Sequence, residues 1–157
     1  MATIGDLLSK DLIKALINDS IKVGNVYRMK LGPEEKVTPK NPDDNSRNKY
    51  FIIVGKDKDG NALGFVLINT NINANLPDSI KDLHYPITPS KYPFLETKRF
   101  VDCSELKIID KDKFDSIFDS SKEKGQIKED DLELIISTLQ SSPKVTPKQL
   151  KKFGLQN

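Results

Sequence analysis

The chain has no tryptophan, one cysteine, one histidine and two methionines in 157 residues. A lone thiol, Cys103, excludes an internal disulfide framework and suits a reducing compartment. With a single imidazole, His84, and no grouping of His, Cys, Asp and Glu at ligand spacing, no metal site is expected. There is no phosphate-binding glycine loop and no Ser/His/Asp pattern, so no cofactor is expected either. An excess of one charge is also missing. Lys and Arg number 25 against 23 Asp and Glu, a net charge of +2, so no global basic field recruits nucleic acid. No apolar run approaches the length of a membrane span, and no membrane association is expected. Residues 1–20 (MATIGDLLSKDLIKALINDS) mix charges among the apolar positions and lack the uninterrupted core of a signal peptide, which makes the cytosol the expected location.

What is present is a one-domain length whose apolar residues, 36% of the total, are clustered enough to bury a core without staples. Charge is unevenly spread. Tyr27 to Lys49 holds six basic and four acidic residues, Asp102 to Glu133 eleven acidic and six basic, and the tail from Pro143 four lysines and no acid. The spacing of Ile4, Leu7, Leu8, Leu12 and Leu16 predicts an amphipathic helix over residues 3–20, capped by Thr3. Gly24-Asn25 ends that pattern, and Val26–Leu31 reads as a first strand. A polar loop from Gly32 to Asn48, with Pro33, Pro39 and Pro42, is long for a compact domain. Tyr50–Val54 (YFIIV) reads as a strand buried on both faces. Asp59-Gly60 is a hairpin signal, and Leu63–Asn69 is the returning strand. Residues 84–98 carry three prolines, too many for a central strand. Arg99–Cys103 and Leu106–Ile109 are short strands, and Phe114, Ile117 and Phe118 mark a short helix. Glu129–Leu139 reads as a second solid helix with acids in its first turn. Thr146-Pro147 opens a last short one. The expected architecture is α+β and mainly β: a small antiparallel barrel or curled sheet over residues 23–142 that includes the closing helix, an N-terminal helix over 1–22, and a basic tail over 143–157.

Few residues point to chemistry by themselves. His84 is a candidate general base for RNA cleavage, although a lone histidine among prolines more often packs or faces solvent. Cys103, inside an apolar strand, reads as a small buried hydrophobe. Asp43-Asp44 and Asp130-Asp131 read as turn and helix-start residues.

Several segments in order do resemble one family. Gly24-Asn25-Val26-Tyr27-Arg28 is similar to the opening strand of the MazF/PemK (Kid/ChpA-type) toxins, and a long polar loop follows in both. Lys49-Tyr50-Phe51-Ile52-Ile53-Val54 resembles the family's R-P-x-V-V strand, and Leu67-Ile68-Asn69-Thr70-Asn71 its strand ending in threonine. Tyr92-Pro93-Phe94, Ser104–Asp110 and Gly125–Ile135 resemble its Y-P-F/Y segment, its D-Q-h-R segment and its closing helix. The resemblance spans roughly residues 24–140. It implies an SH3-like barrel, usually a homodimer, that cleaves single-stranded RNA without metal through a 2′,3′-cyclic phosphate and is held by a cognate antitoxin. The implied catalytic residues are Lys49, Arg47 and Thr70, and the implied RNA-binding residues Arg28, Lys107 and Ser104.

The sequence departs from the family where chemistry is concerned. Lys49 stands for the family's arginine, Ser104 for its aspartate and Lys107 for its second arginine, while Thr70 is kept. Lysine lacks the planar fork that grips two phosphate oxygens, so Arg47, two residues earlier, and Arg28 are alternative phosphate ligands. These replacements keep a second expectation open, a catalytically silent barrel that binds a peptide or a nucleic acid strand. A third is a DNA-associated protein using the lysine-rich tail.

Overall fold

Alternating apolar side chains with a period of two form most of the structure. The computed structural model describes residues 21–39, 41 and 43–156. The helix expected over residues 3–20 lies outside the described residues. In chain order the elements are β1 (Asn25–Leu31), a 3-10 turn (Pro33–Glu35), β2 (Arg47–Lys56), β3 (Ala62–Asn69), α1 (Asp78–Lys81), β4 (His84–Ile87), β5 (Arg99–Asp102), β6 (Lys107–Asp110), α2 (Lys111–Ile117), β7 (Glu123–Gln126), α3 (Glu129–Ser141) and α4 (Pro147–Lys152). The pairings are antiparallel and run in the order β4-β5-β3-β2-β1-β7, with β6 also on β3. β5 pairs with the end of β3 at Ile68 and Asn69, and β6 with its beginning at Ala62–Phe65. Two short strands thus share one edge of β3, and the sheet curls into a half-barrel.

The sheet has two buried faces. Val26, Ile52, Val54, Val66 and Ile68 point to one core with Ile135 and Leu139 of α3. Tyr27, Met29, Phe51, Ile53, Phe65 and Leu67 point to the other with Phe114 of α2. The expectation that YFIIV is buried on both sides agrees with this arrangement. Phe51 packs tilted against Phe65 with ring centroids 4.9 Å apart, and Tyr27 meets Phe114 edge-on at 5.1 Å, geometries that add to the area they bury.

Two strands were not anticipated. Residues 84–87 form β4 despite Pro86, because β4 is the outer strand of the sheet and a missing amide costs nothing on the open side. Residues 123–126 form β7 on the other outer edge with no buried side chain, so no apolar pattern marks it. The basic tail is a packed element. Val145, Leu150, Phe153 and Leu155 are buried in the α3-side core. Phe153 fills a notch over Gly55 and Gly64, which face each other across β2 and β3. A β-carbon on Gly55 would stand 2.6 Å from the Phe153 carbonyl oxygen.

α3 is fastened to the sheet by one carboxylate. Asp131 is 5% exposed and accepts from the hydroxyls of Tyr85 on β4 (2.5 Å) and Tyr92, with Lys91 Nζ at 3.0 Å. The Tyr92 hydroxyl in turn accepts from the Lys128 amide at 3.1 Å. Burial alone would raise the Asp131 carboxyl, but the bonds from Tyr85, Tyr92 and Lys91 hold it below the ordinary carboxylate range. The Tyr85 hydroxyl, bonded to that carboxylate, is pushed up to about 12. A depressed carboxyl stabilises the fold above its unfolded value of about 4 and stops doing so as pH falls through its folded value. Asp131→Ala is therefore expected to cost about 3 kcal/mol at pH 7, since it strands the buried Tyr92 hydroxyl and the half-buried Tyr85 hydroxyl. Urea unfolding at pH 7 and pH 3 checks this, with the gap between wild type and variant narrowing at the lower pH.

Candidate functional site

At one end of the half-barrel, β2 and β5 carry Arg47, Lys49 and Arg99 where they leave the core, and β3 ends in Asn69 before Thr70. Two hollows open there and share a rim made of Arg47, Lys49 and Thr70. The larger, about 380 Å³, is completed by Asn69, Asn71, Asn73, Leu76, His84 and Asp102. The smaller, about 90 Å³, is completed by Arg28, Asn48, Tyr50, Ile68 and Arg99.

Register explains the convergence. Arg28, Tyr50 and Ile68 are successive cross-strand partners on β1, β2 and β3, and Val101 follows on β5, so they share a face. Arg99, two residues from Val101, shares it too. The Arg99 guanidinium lies 4.9 Å and that of Arg28 5.7 Å from the centre of the Tyr50 ring. Arg99 Nε is buried with no hydrogen-bond acceptor among the described residues. Lys49 is one residue off that register. Its ammonium turns the other way and donates to Asn69 Oδ1 at 2.5 Å.

Arg28, Arg47, Lys49 and Arg99 have no carboxylate within ion-pair distance among the described residues, whereas Lys91, Lys107, Lys111, Lys113 and Lys144 all do. Lys49 carries the consequence. Burial, then the charges of Arg47 and Arg99, lower its ammonium to about 8, and Asp102 offsets only part of this. Such crowding of like charge is unfavourable for the free protein and favourable for one that receives an anion.

Among the described residues Asp102 is the one acid lining either hollow, and it is firmly held. Its Oδ1 accepts from the Ser104 amide (3.0 Å) and the Ser104 hydroxyl (2.5 Å), and His84 Nε2 stands 3.5 Å away. His84 is not free to act as a base. Its side chain is 3% exposed, and its Nδ1 lies 3.0 Å from the Ile80 carbonyl oxygen, so both ring nitrogens face protein acceptors.

Of the residues singled out in the sequence, Arg28, Arg47, Lys49 and Thr70 are brought together here. Ser104 is 2% exposed and stands behind the site as the support of Asp102. Lys107 lies apart. It is 8% exposed, bonds the Lys36 carbonyl oxygen at 3.0 Å and Glu105 at 3.1 Å, and lines a different hollow with Glu34, Glu35 and Lys113. Arg99, Asp102, Asn69 and Asn73 were missed. Arg99 and Asp102 were read only as part of a strand, Asn69 only as the end of another and Asn73 only as loop, although four asparagines at alternate positions from 69 to 75 were a signal in plain view.

No protein-family model matches the sequence, and no curated protein matches it. Among the described residues no helix is long and apolar enough to cross a membrane.

A lysine held below its ordinary value by burial costs stability below its folded pKa, and the cost disappears as pH rises from about 8 to the unfolded value near 10.5. Lys49→Met is accordingly expected to raise the melting temperature at pH 7, with the gain shrinking between pH 8 and 10.5. Paired thermal melts of wild type and variant across that range measure it.

Proposed function

We propose that this protein is an endoribonuclease of the MazF/PemK kind, acting on single-stranded RNA through a 2′,3′-cyclic phosphate. The observation that carries this reading is the group of cations, Arg28, Arg47, Lys49 and Arg99, without a carboxylate partner among the described residues, that lines one hollow with Thr70. A phosphodiester is the anion that this group suits: guanidinium forks for the non-bridging oxygens, a hydroxyl donor, and a lysine whose proton is exchangeable near neutrality. The order of elements supports the finer fold assignment, an SH3-like barrel of that family. An opening strand, a long polar loop, the β2–β3 hairpin ending at Thr70 and the closing helix α3 follow one another as in those toxins.

On this reading Lys49, of which about a tenth is neutral at pH 7, accepts the proton of the 2′-hydroxyl as that oxygen attacks phosphorus. The bond from phosphorus to the 5′-oxygen breaks, and the leaving oxygen takes its proton from solvent. Arg47 and Arg99 stabilise the charge that grows on the non-bridging oxygens, and Thr70 donates a further hydrogen bond. An antitoxin partner would neutralise the toxin by laying an acidic segment across the same rim, and a homodimer would present two such rims.

The test is incubation of the purified chain with a long mixed-sequence RNA in excess EDTA, followed by mapping of fragment ends. Recurrent short cleavage sites with cyclic-phosphate ends are expected. kcat/KM should rise with pH up to about 8 and fall roughly 100-fold or more in Lys49→Ala. Intact RNA across varied substrates would refute the enzyme and leave the half-barrel as a binding module for a phosphate-bearing strand.

A further inference from the structure

Lys49 stands in neither of the two settings common among the lysines of this chain. Lys107, Lys111 and Lys113, which are buried or half-buried, each hold a carboxylate. Lys30, Lys58 and Lys98 are exposed to solvent. Lys49 is half-buried, and its ammonium donates to a neutral group, Asn69 Oδ1, at 2.5 Å. It lines both hollows together with Arg47 and Thr70, while Arg28 and Arg99 complete the smaller one. Burial and the charges of Arg47, Arg99 and Lys107 favour loss of its proton, and Asp102 opposes them in part, so that its ammonium stands at about 8. A desolvated lysine beside other cations is the activated form of this side chain: at neutral pH it offers a free lone pair that an exposed lysine does not. The same cations that loosen the proton attract an anion to the amine.

A nucleophilic amine in an anion site selects small electrophiles that carry a phosphate. Acyl phosphates join the two features in one molecule. We infer that Lys49 is a self-acylation site, modified by acyl phosphates that the Arg47–Lys49–Thr70 rim holds by their phosphate. The neutral amine attacks the acyl carbon, the bond from that carbon to the phosphate oxygen breaks, and an amide forms. Inorganic phosphate leaves with the electron pair, and the proton lost by the amine passes to solvent. The guanidinium groups of the rim stabilise the charge that collects on the departing phosphate. Acylation removes both the charge and the lone pair of Lys49. It therefore shuts off the site by disabling the base of the cleavage reaction, a consequence that rests on the ribonuclease reading. The acylation itself needs only the anion site and the amine.

Incubation of the full chain with acetyl phosphate at pH 7, followed by peptide mass spectrometry of every lysine, tests the inference. Lys49 is expected to be acetylated about tenfold or more faster than Lys30, Lys58 and Lys98, and added inorganic phosphate should slow Lys49 but not the others. Acetic anhydride, which carries no phosphate, is the control reagent, because it senses the amine and not the anion site. Arg47→Gln should lower the ratio of the acetyl phosphate rate to the acetic anhydride rate at Lys49 about threefold or more. The phosphate competition needs only the wild-type chain, so it stands if that variant folds poorly. Lys49 no faster than the exposed lysines would overturn the acylation site. Lys49 fast with both reagents and indifferent to phosphate would overturn it together with the anion site. RNA cleavage that persists after full acetylation of Lys49 would overturn the shut-off. Phosphate-protected acetylation of Lys49 in a chain that never cuts RNA would support the acylation site and refute the nuclease.

Discussion

The pairing of β2 with a neighbour on each side is the constraint on which the rest depends. Its central residues are buried on both faces, so they fix the register of β1 and β3 from either side; a slip of one residue would exchange the two cores. The same strand extends beyond the core at its start, and there the alternation that sorted apolar side chains sorts cations instead. Tyr50 falls on the face of Arg28 and Arg99, while Lys49 falls on that of Asn69. The cationic end is thus a continuation of the packing rule, with the core as its anchor.

The polar networks follow from that frame. α3 packs on the sheet through Ile135 and Leu139, and Asp131 adds a polar fastening by gathering hydroxyls from β4 and from the segment after it. Ser104 holds Asp102 in a similar way at the far end of β5. Asp131 is positioned by donors 39 and 46 residues away in sequence, and Asp102 by a residue only two positions on. The difference lies in the use made of the two oxygens: Asp131 is bonded through both and fastens the fold, whereas the contacts of Asp102 fall on Oδ1 and the residue lines a hollow.

Much of this was legible in the sequence and the remainder was hidden for physical reasons. The alternation in Val26–Leu31, the double-faced run Tyr50–Val54 and the Asp59-Gly60 turn announce β1 to β3, because strand period and turn chemistry are local. β4 and β7 are edge strands, one holding Pro86 and the other without a buried side chain, and neither carries a local mark. The tail from Pro143 reads as solvated by its lysines, but Phe153 finds its place only because Gly55 and Gly64 meet across a hairpin. The site divides along the same line. Arg47, Lys49 and Thr70 flank strands that pattern alone locates. Arg99 and Asp102 reach the site through the pairing of β5 with β3, which no spacing encodes.

The central claim is that burial, reinforced by the charges of Arg47 and Arg99, holds Lys49 partly neutral at the β2 end, and that the cations there receive a phosphate. Direct titration of Lys49 by NMR, with labelled side-chain ammonium groups, tests it most closely. The account predicts a pKa near 8 in the free protein, returning toward the ordinary value when Arg47 is replaced by glutamine or when inorganic phosphate is added. An ordinary lysine value near 10.5, indifferent to both, would contradict it.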